Sequence, residues 1–98
     1  MSQHIFKTTD AQGNDVTVKM GYDRPLNFVF CTVMNREDDV IYSNLDDDDA
    51  GTHQQNVDYY RSVLEALGLN VPQSIFQEVA ADQRGRVGNR IVTHSAVN

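Results

Sequence analysis

Leu26-Asn27-Phe28-Val29-Phe30-Cys31-Thr32-Val33-Met34 decides the fold: it is the most apolar run of the chain and is rich in aromatic and β-branched residues, the side chains that suit a pleated, half-buried surface. It predicts the central, most buried strand of a sheet. On its N-terminal side, Gly21-Tyr22-Asp23-Arg24-Pro25 predicts a corner, because Pro25 lacks the N–H that a ladder requires and a glycine weakens a strand interior. Before that corner, Gln3 to Thr9 alternate, with Ile5 and Lys7 facing one way and His4, Phe6 and Thr8 the other. Val16 to Met20 alternate again beyond the turn formers Asp10-Ala11-Gln12-Gly13-Asn14-Asp15, so these two strands should form an antiparallel hairpin.

On the C-terminal side, Asn35-Arg36-Glu37-Asp38 predicts a turn and Asp39 to Ser43 a fourth strand. The segment from Asn44 to Gly51 has neither periodicity nor apolar content and is expected to be solvated loop. Thr52-His53-Gln54-Gln55 fits the frame of a capping box, after which Val57, Tyr60, Val63, Leu64 and Leu67 recur at helical spacing. Gly68 suits a left-handed cap, and Pro72 is placed to open a second helix that runs to about Asp82, with Ile75, Phe76, Val79 and Ala80 inward. Arg84 to Asn89 contains two glycines and predicts a loop, and Arg90-Ile91-Val92-Thr93-His94 a fifth strand at an edge. The fold expected is α+β over one domain, 1–98: an antiparallel meander of about five strands with two short helices packed on one face, in the order ββββααβ. The 57–67 helix should lie on the Leu26–Met34 strand.

Gly21-Tyr22-Asp23-Arg24-Pro25-Leu26, Tyr42-Ser43-Asn44-Leu45 and Val87-Gly88-Asn89-Arg90 together resemble a group of small uncharacterised bacterial proteins. The resemblance spans most of the chain and implies one bacterial domain. Its motifs are turn and strand residues, so it brings no active site.

With 98 residues, 40% of them hydrophobic, the chain can build one thin core, and association with a second copy would help to cover it. The net charge of −6 repels nucleic acid backbones and anionic membranes, so neither is an expected partner. Cys31 is the single cysteine, which excludes an intrachain disulfide and suits a buried thiol. The start Met1-Ser2-Gln3-His4-Ile5 has no basic region followed by an apolar stretch, and a cytoplasmic protein is expected.

Glu37, Asp38, Asp39, Asp46, Asp47, Asp48 and Asp49 place seven carboxylates within thirteen residues with no Lys or Arg among them. In a calcium-loop frame Asp46 and Asp48 occupy positions one and three and Gly51 position six, but Ala50 and Val57 stand at five and twelve, where oxygen ligands are needed. Such a run is ordinarily solvated loop; as a functional surface it would steer a basic protein partner or act as a nucleic acid mimic. Arg84, Arg86 and Arg90 form a basic counterpart, with no acidic residue after Asp82, and a symmetric dimer could pair the two. Arg84-Gly85-Arg86-Val87-Gly88-Asn89 could cradle a phosphate, but it leads into a strand, whereas phosphate loops lead into a helix N-terminus.

No catalytic or cofactor motif is present, and no cofactor or metal is implied by spacing. Cys31 lacks a cation or helix N-terminus to lower its pKa. His4 and His94 fall on terminal strands that could be neighbours, and both are expected at the surface or rim, as is His53. The function expected is that of a small acidic binding or regulatory protein acting through a protein partner or as a homodimer. Its contact surface would be the 37–49 carboxylates with Tyr59, which projects off the apolar face of its helix. The alternative is a small enzyme or ligand-binding domain with a pocket between sheet and helices, to which His4, His94 and Arg90 contribute.

Overall fold

Alternation and turn chemistry build the first half of the chain much as expected. The computed structural model describes residues 1–25, 28–47 and 57–94; Leu26, the 52–55 capping frame with His53, and Asp48 and Asp49 lie outside the described residues. Strand β1 (Ser2–Thr9) turns through Gly13, at φ +83°, into β2 (Asp15–Asp23), followed by β3 (Phe28–Asn35) and β4 (Val40–Ser43). Helix α1 (Val57–Ala66) and helix α2 (Gln73–Gly85) follow, then β5 (Arg90–His94). Gly68, at φ +76°, ends the α1 region in the left-handed conformation that costs glycine nothing.

The five strands form one sheet in the order β4-β3-β2-β1-β5. The first three pairings are antiparallel, but β5 runs parallel to β1, from Ser2 opposite Arg90 to Phe6 opposite His94. The sheet is therefore mixed, not an antiparallel meander throughout. Hairpin turns can only reverse a chain, whereas the helical pair between β4 and β5 crosses the sheet and allows the last strand to enter in the direction of the first. The crossing also makes β2, not β3, the middle strand.

Two further departures are local. Strand β2 does not break at Gly21: it continues to Asp23, and a Cβ on Gly21 would lie 2.1 Å from the Ser2 carbonyl oxygen. Glycine here permits close approach of β1, a use the corner assignment overlooked. The acidic segment also starts as structure, since Asn44–Asp46 forms a 3-10 turn capped by Ser43. The buried Asn44 Oδ1 accepts from the Cys31 backbone N–H at 3.1 Å.

Alternate residues of the strands supply one side of the core: Phe6, Val16, Val18, Met20, Tyr22, Val29, Cys31 and Val33. Val57, Tyr60 and Leu64 of α1 and Ile75, Phe76 and Val79 of α2 supply the other. Tyr60 donates its hydroxyl to the Val29 carbonyl at 3.1 Å, which fixes α1 on β3. Full burial removes the Cys31 thiol from water and pushes its pKa up to about 12. Among the described residues no helix is long and apolar enough to cross a membrane.

Candidate functional site

The inward stripe of α2 does not end with its apolar residues. Ile75, Val79 and Asp82 stand at positions i, i+4 and i+7, so the helix aims a carboxylate at the sheet. Asp82 is buried, and across from it β1 presents Ser2 and His4 on the face that also carries Phe6; both are fully buried. The parallel register of β5 sets Arg90 opposite Ser2 at the strand entrance and His94 opposite Phe6, from where its ring reaches back to that of His4. Glu78, one turn before Asp82, faces the same edge.

These side chains form a connected set. His4 Nε2 lies 2.7 Å from Asp82 Oδ2, and His4 Nδ1 lies 2.9 Å from His94 Nε2. Arg90 donates through Nη1 to Asp82 Oδ1 at 2.8 Å and through Nη2 to Glu78 Oε1 at 3.1 Å. The other Glu78 oxygen, Oε2, is 3.4 Å from His94 Nε2, and Ser2 adds a further hydrogen bond to Asp82. Exposure grades outward, from fully buried His4 to side-chain values of 12% at His94 and 36% at Glu78.

Hydrogen-bond roles fix one proton: an ionised carboxylate only accepts, so His4 carries a proton on Nε2. The proton between His4 Nδ1 and His94 Nε2 sits on His94 when His4 is neutral and on His4 when it is charged. Burial holds His94 below the ordinary imidazole range, with His4 and Arg90 in support and Glu78 opposing. Burial alone would raise the Asp82 carboxyl, but the hydrogen bonds from His4 and Ser2, with the His4 and Arg90 charges, outweigh it and leave the pKa lowered. One donor atom from each of His4, Glu78 and His94 lies within 4.8 Å of the others, the arrangement in which a metal ion could be held.

The residues singled out from sequence fare unequally. His4, His94 and Arg90 come together between sheet and helix, but His4 is a buried residue and not a rim histidine, because the face it occupies is the one α2 covers. Arg90 turns to Asp82 and Glu78 and so leaves the basic patch, in which Arg84 and Arg86 remain exposed. Glu37, Asp38, Asp39 and Asp46 are exposed, whereas Asp47 is half-buried and accepts from the Tyr42 and Tyr59 hydroxyls at 2.6 and 2.7 Å. Tyr59 is thereby bound to the acidic turn of its own chain, and the free aromatic anchor expected there is not present. Sequence reasoning missed Glu78 and Asp82; the available signal was an acidic residue at an inward position of an amphipathic helix.

A cleft of about 490 Å³ lies elsewhere, at the hairpin ends, lined by residues that include Asp10, Asn35 and Glu37. Its polar groups serve their own turns: Asp10 Oδ1 accepts from the Gln12 and Asn14 N–H groups, and Asn35 Oδ1 from those of Glu37 and Asp39. Comparison with known proteins finds no matching family model, no matching curated protein and no matching solved structure.

Proposed function

We propose that the protein is a small ligand-binding domain whose working site is the seam where α2 crosses β1 and β5, with His4, Glu78, His94 and Arg90 converging on it and Asp82 behind them. One observation carries this: a fully buried histidine bonded to a buried carboxylate on one side and to a rim histidine on the other. Burying ionisable groups costs free energy that apolar residues of similar size would not cost. A domain with so thin a core gains from such a cluster when it serves a ligand, and perturbed ionisable groups gather at functional sites.

The test is a nuclear magnetic resonance titration of the whole protein with divalent metal ions, inorganic phosphate and short carboxylates in turn. Binding at the seam shifts the ring signals of His4 and His94 and the side-chain signals of Glu78 and Arg90 first. A panel in which no member moves them, or in which every response maps to residues 37–47, refutes the assignment.

Association through the acidic corner is favoured by a separate observation. Leu45 is 84% exposed, and Val40 and Ile41 of the edge strand are about half exposed, beside Glu37, Asp38, Asp39 and Asp46. Apolar side chains ringed by one sign of charge suit a basic protein surface or the basic loop of a second copy. Light scattering at low salt on the wild type and Leu45→Ser tests self-association; a monomer at all concentrations in both removes the homodimer.

A further inference from the structure

We infer that the ligand of this seam is a late first-row divalent metal ion of the zinc type, bound by His4 Nδ1, His94 Nε2 and Glu78 Oε2. The inference rests on the ligand-binding assignment above and narrows it to one chemistry.

Charge favours a cation in the form that ligates: imidazoles bind a metal when neutral, and with both neutral, two carboxylates (Asp82 and Glu78) stand against one guanidinium (Arg90), which leaves one net negative charge. Arg90 is already shared between both carboxylates, so an incoming phosphate would meet carboxylate oxygens instead of a free fork. Donor type then selects the ion: two imidazole nitrogens and one carboxylate suit zinc and its first-row neighbours, whereas calcium and magnesium demand oxygen ligands in larger number.

Two of the three ligand separations are close to what coordination requires, and all three lie within 4.8 Å. A tetrahedral ion with bonds of about 2.0–2.1 Å holds its ligand atoms about 3.3 Å apart. His94 Nε2 and Glu78 Oε2 are 3.4 Å apart, and the two imidazole nitrogens, now 2.9 Å apart through a shared proton, need to open by about 0.4 Å. His94 meets the ion by carrying its proton on Nδ1 in place of Nε2, and His4 by offering the Nδ1 lone pair of its neutral form.

The atoms turned away from the ion are all held. His4 gives its Nε2 proton to Asp82, which is the carboxylate support that metal-bound imidazoles commonly have, and Glu78 Oε1 accepts from Arg90. Three protein ligands leave a fourth position open, on the side where His94 and Glu78 reach the surface, so the ion can enter there and keep a water molecule.

The experiment is zinc titration of the chelator-stripped full chain against a chromophoric competitor, with cobalt(II) as an optical probe. One equivalent should bind, with the ligand-field bands of a four- or five-coordinate cobalt. His94→Ala should weaken binding by more than about 100-fold, and Asp82→Asn, which removes only the support of a ligand, by about 10–100-fold. Glu78→Gln leaves the His4–Asp82 pair intact, so its loss of at least about tenfold is read on a folded protein. Equal zinc affinity in Glu78→Gln, His94→Ala and wild type overturns the inference, as does calcium binding as tightly as zinc. Phosphate or a carboxylate moving the His4 and His94 signals where zinc does not would overturn the metal and leave the ligand-binding domain standing; zinc responses confined to residues 37–47 would overturn both.

Discussion

Replacing Asp82 by alanine is the most demanding perturbation of the seam, because its cost follows from counting the donors it strands. Asp82 accepts from His4, Ser2 and Arg90. Arg90 is 41% exposed and turns to water at little cost, but His4 and Ser2 are fully buried and have none to turn to. An orphaned buried donor costs about 1–3 kcal/mol, and two of them agree with the 3–5 kcal/mol typical of a buried ion pair that loses one partner. Against a total stability of about 5–15 kcal/mol the loss is large, and at roughly 4–8 °C per kcal/mol the melting temperature should fall by more than about 12 °C. The assay is urea unfolding followed by circular dichroism at neutral pH with chelator present. Glu78→Gln, which breaks only part-exposed contacts, should cost less than about 1 kcal/mol. The double variant His4→Phe with Asp82→Leu should recover most of the Asp82→Ala loss, since apolar replacement of a whole buried pair is often neutral. An Asp82→Ala cost within about 1 kcal/mol of that of Glu78→Gln refutes the donor count.

Three further outcomes follow from other parts of the fold. Gly21→Ala should destabilise by about 1–3 kcal/mol or more in the same assay, because the new methyl group meets the Ser2 carbonyl at 2.1 Å and β1 must move away; an unchanged midpoint contradicts the close approach. Cys31, with its pKa pushed up to about 12, should resist a thiol reagent at pH 8 in the native protein and react fully in urea. Tyr42 and Tyr60 are raised above the ordinary phenol range, first by burial and, for Tyr42, by its hydrogen bond to Asp47. A raised folded-state pKa means that their stability is complete below about pH 10, where the unfolded phenols start to ionise, and is lost as pH rises beyond it. Tyr42→Phe should therefore flatten the alkaline fall in stability, and an unaltered fall counts against this origin.

The sequence made elements legible wherever a local signal dictated them. Alternation and turn residues placed β1 to β4, and the 3.6-residue stripe placed both helices, because these depend on neighbours within a few positions. The direction of β5 was not legible: Arg90 to His94 reads the same whether it lies parallel or antiparallel, and the choice belongs to how the two helices cross the sheet. Gly21 was read as a breaker because its use, room for the Ser2 carbonyl, comes from a residue nineteen positions away. Of the seam, His4 and His94 were foreseen as possible neighbours and Arg90 as a contributor. Glu78 was not singled out and Asp82 served only to mark the helix end, although the position of Asp82 on the apolar stripe marked it as inward.

The parallel entry of β5 makes the seam, and the arithmetic of rise shows how. Four residues advance about 6 Å along a helix and about 13 Å along a strand, so Glu78 and Asp82 on α2 cannot match Arg90 and His94 on β5 one to one. Arg90 spans the difference: its forked guanidinium reaches both carboxylates at once and draws Glu78 toward His94. Had β5 run the other way about the same centre, Arg90 and His94 would have exchanged ends, and the guanidinium would lie at the Phe6 end of the edge. The convergence of two nitrogens and a carboxylate oxygen is thus a consequence of topology acting on four side chains, and the described acidic residues Glu37, Asp38, Asp39, Asp46 and Asp47 make none of its contacts.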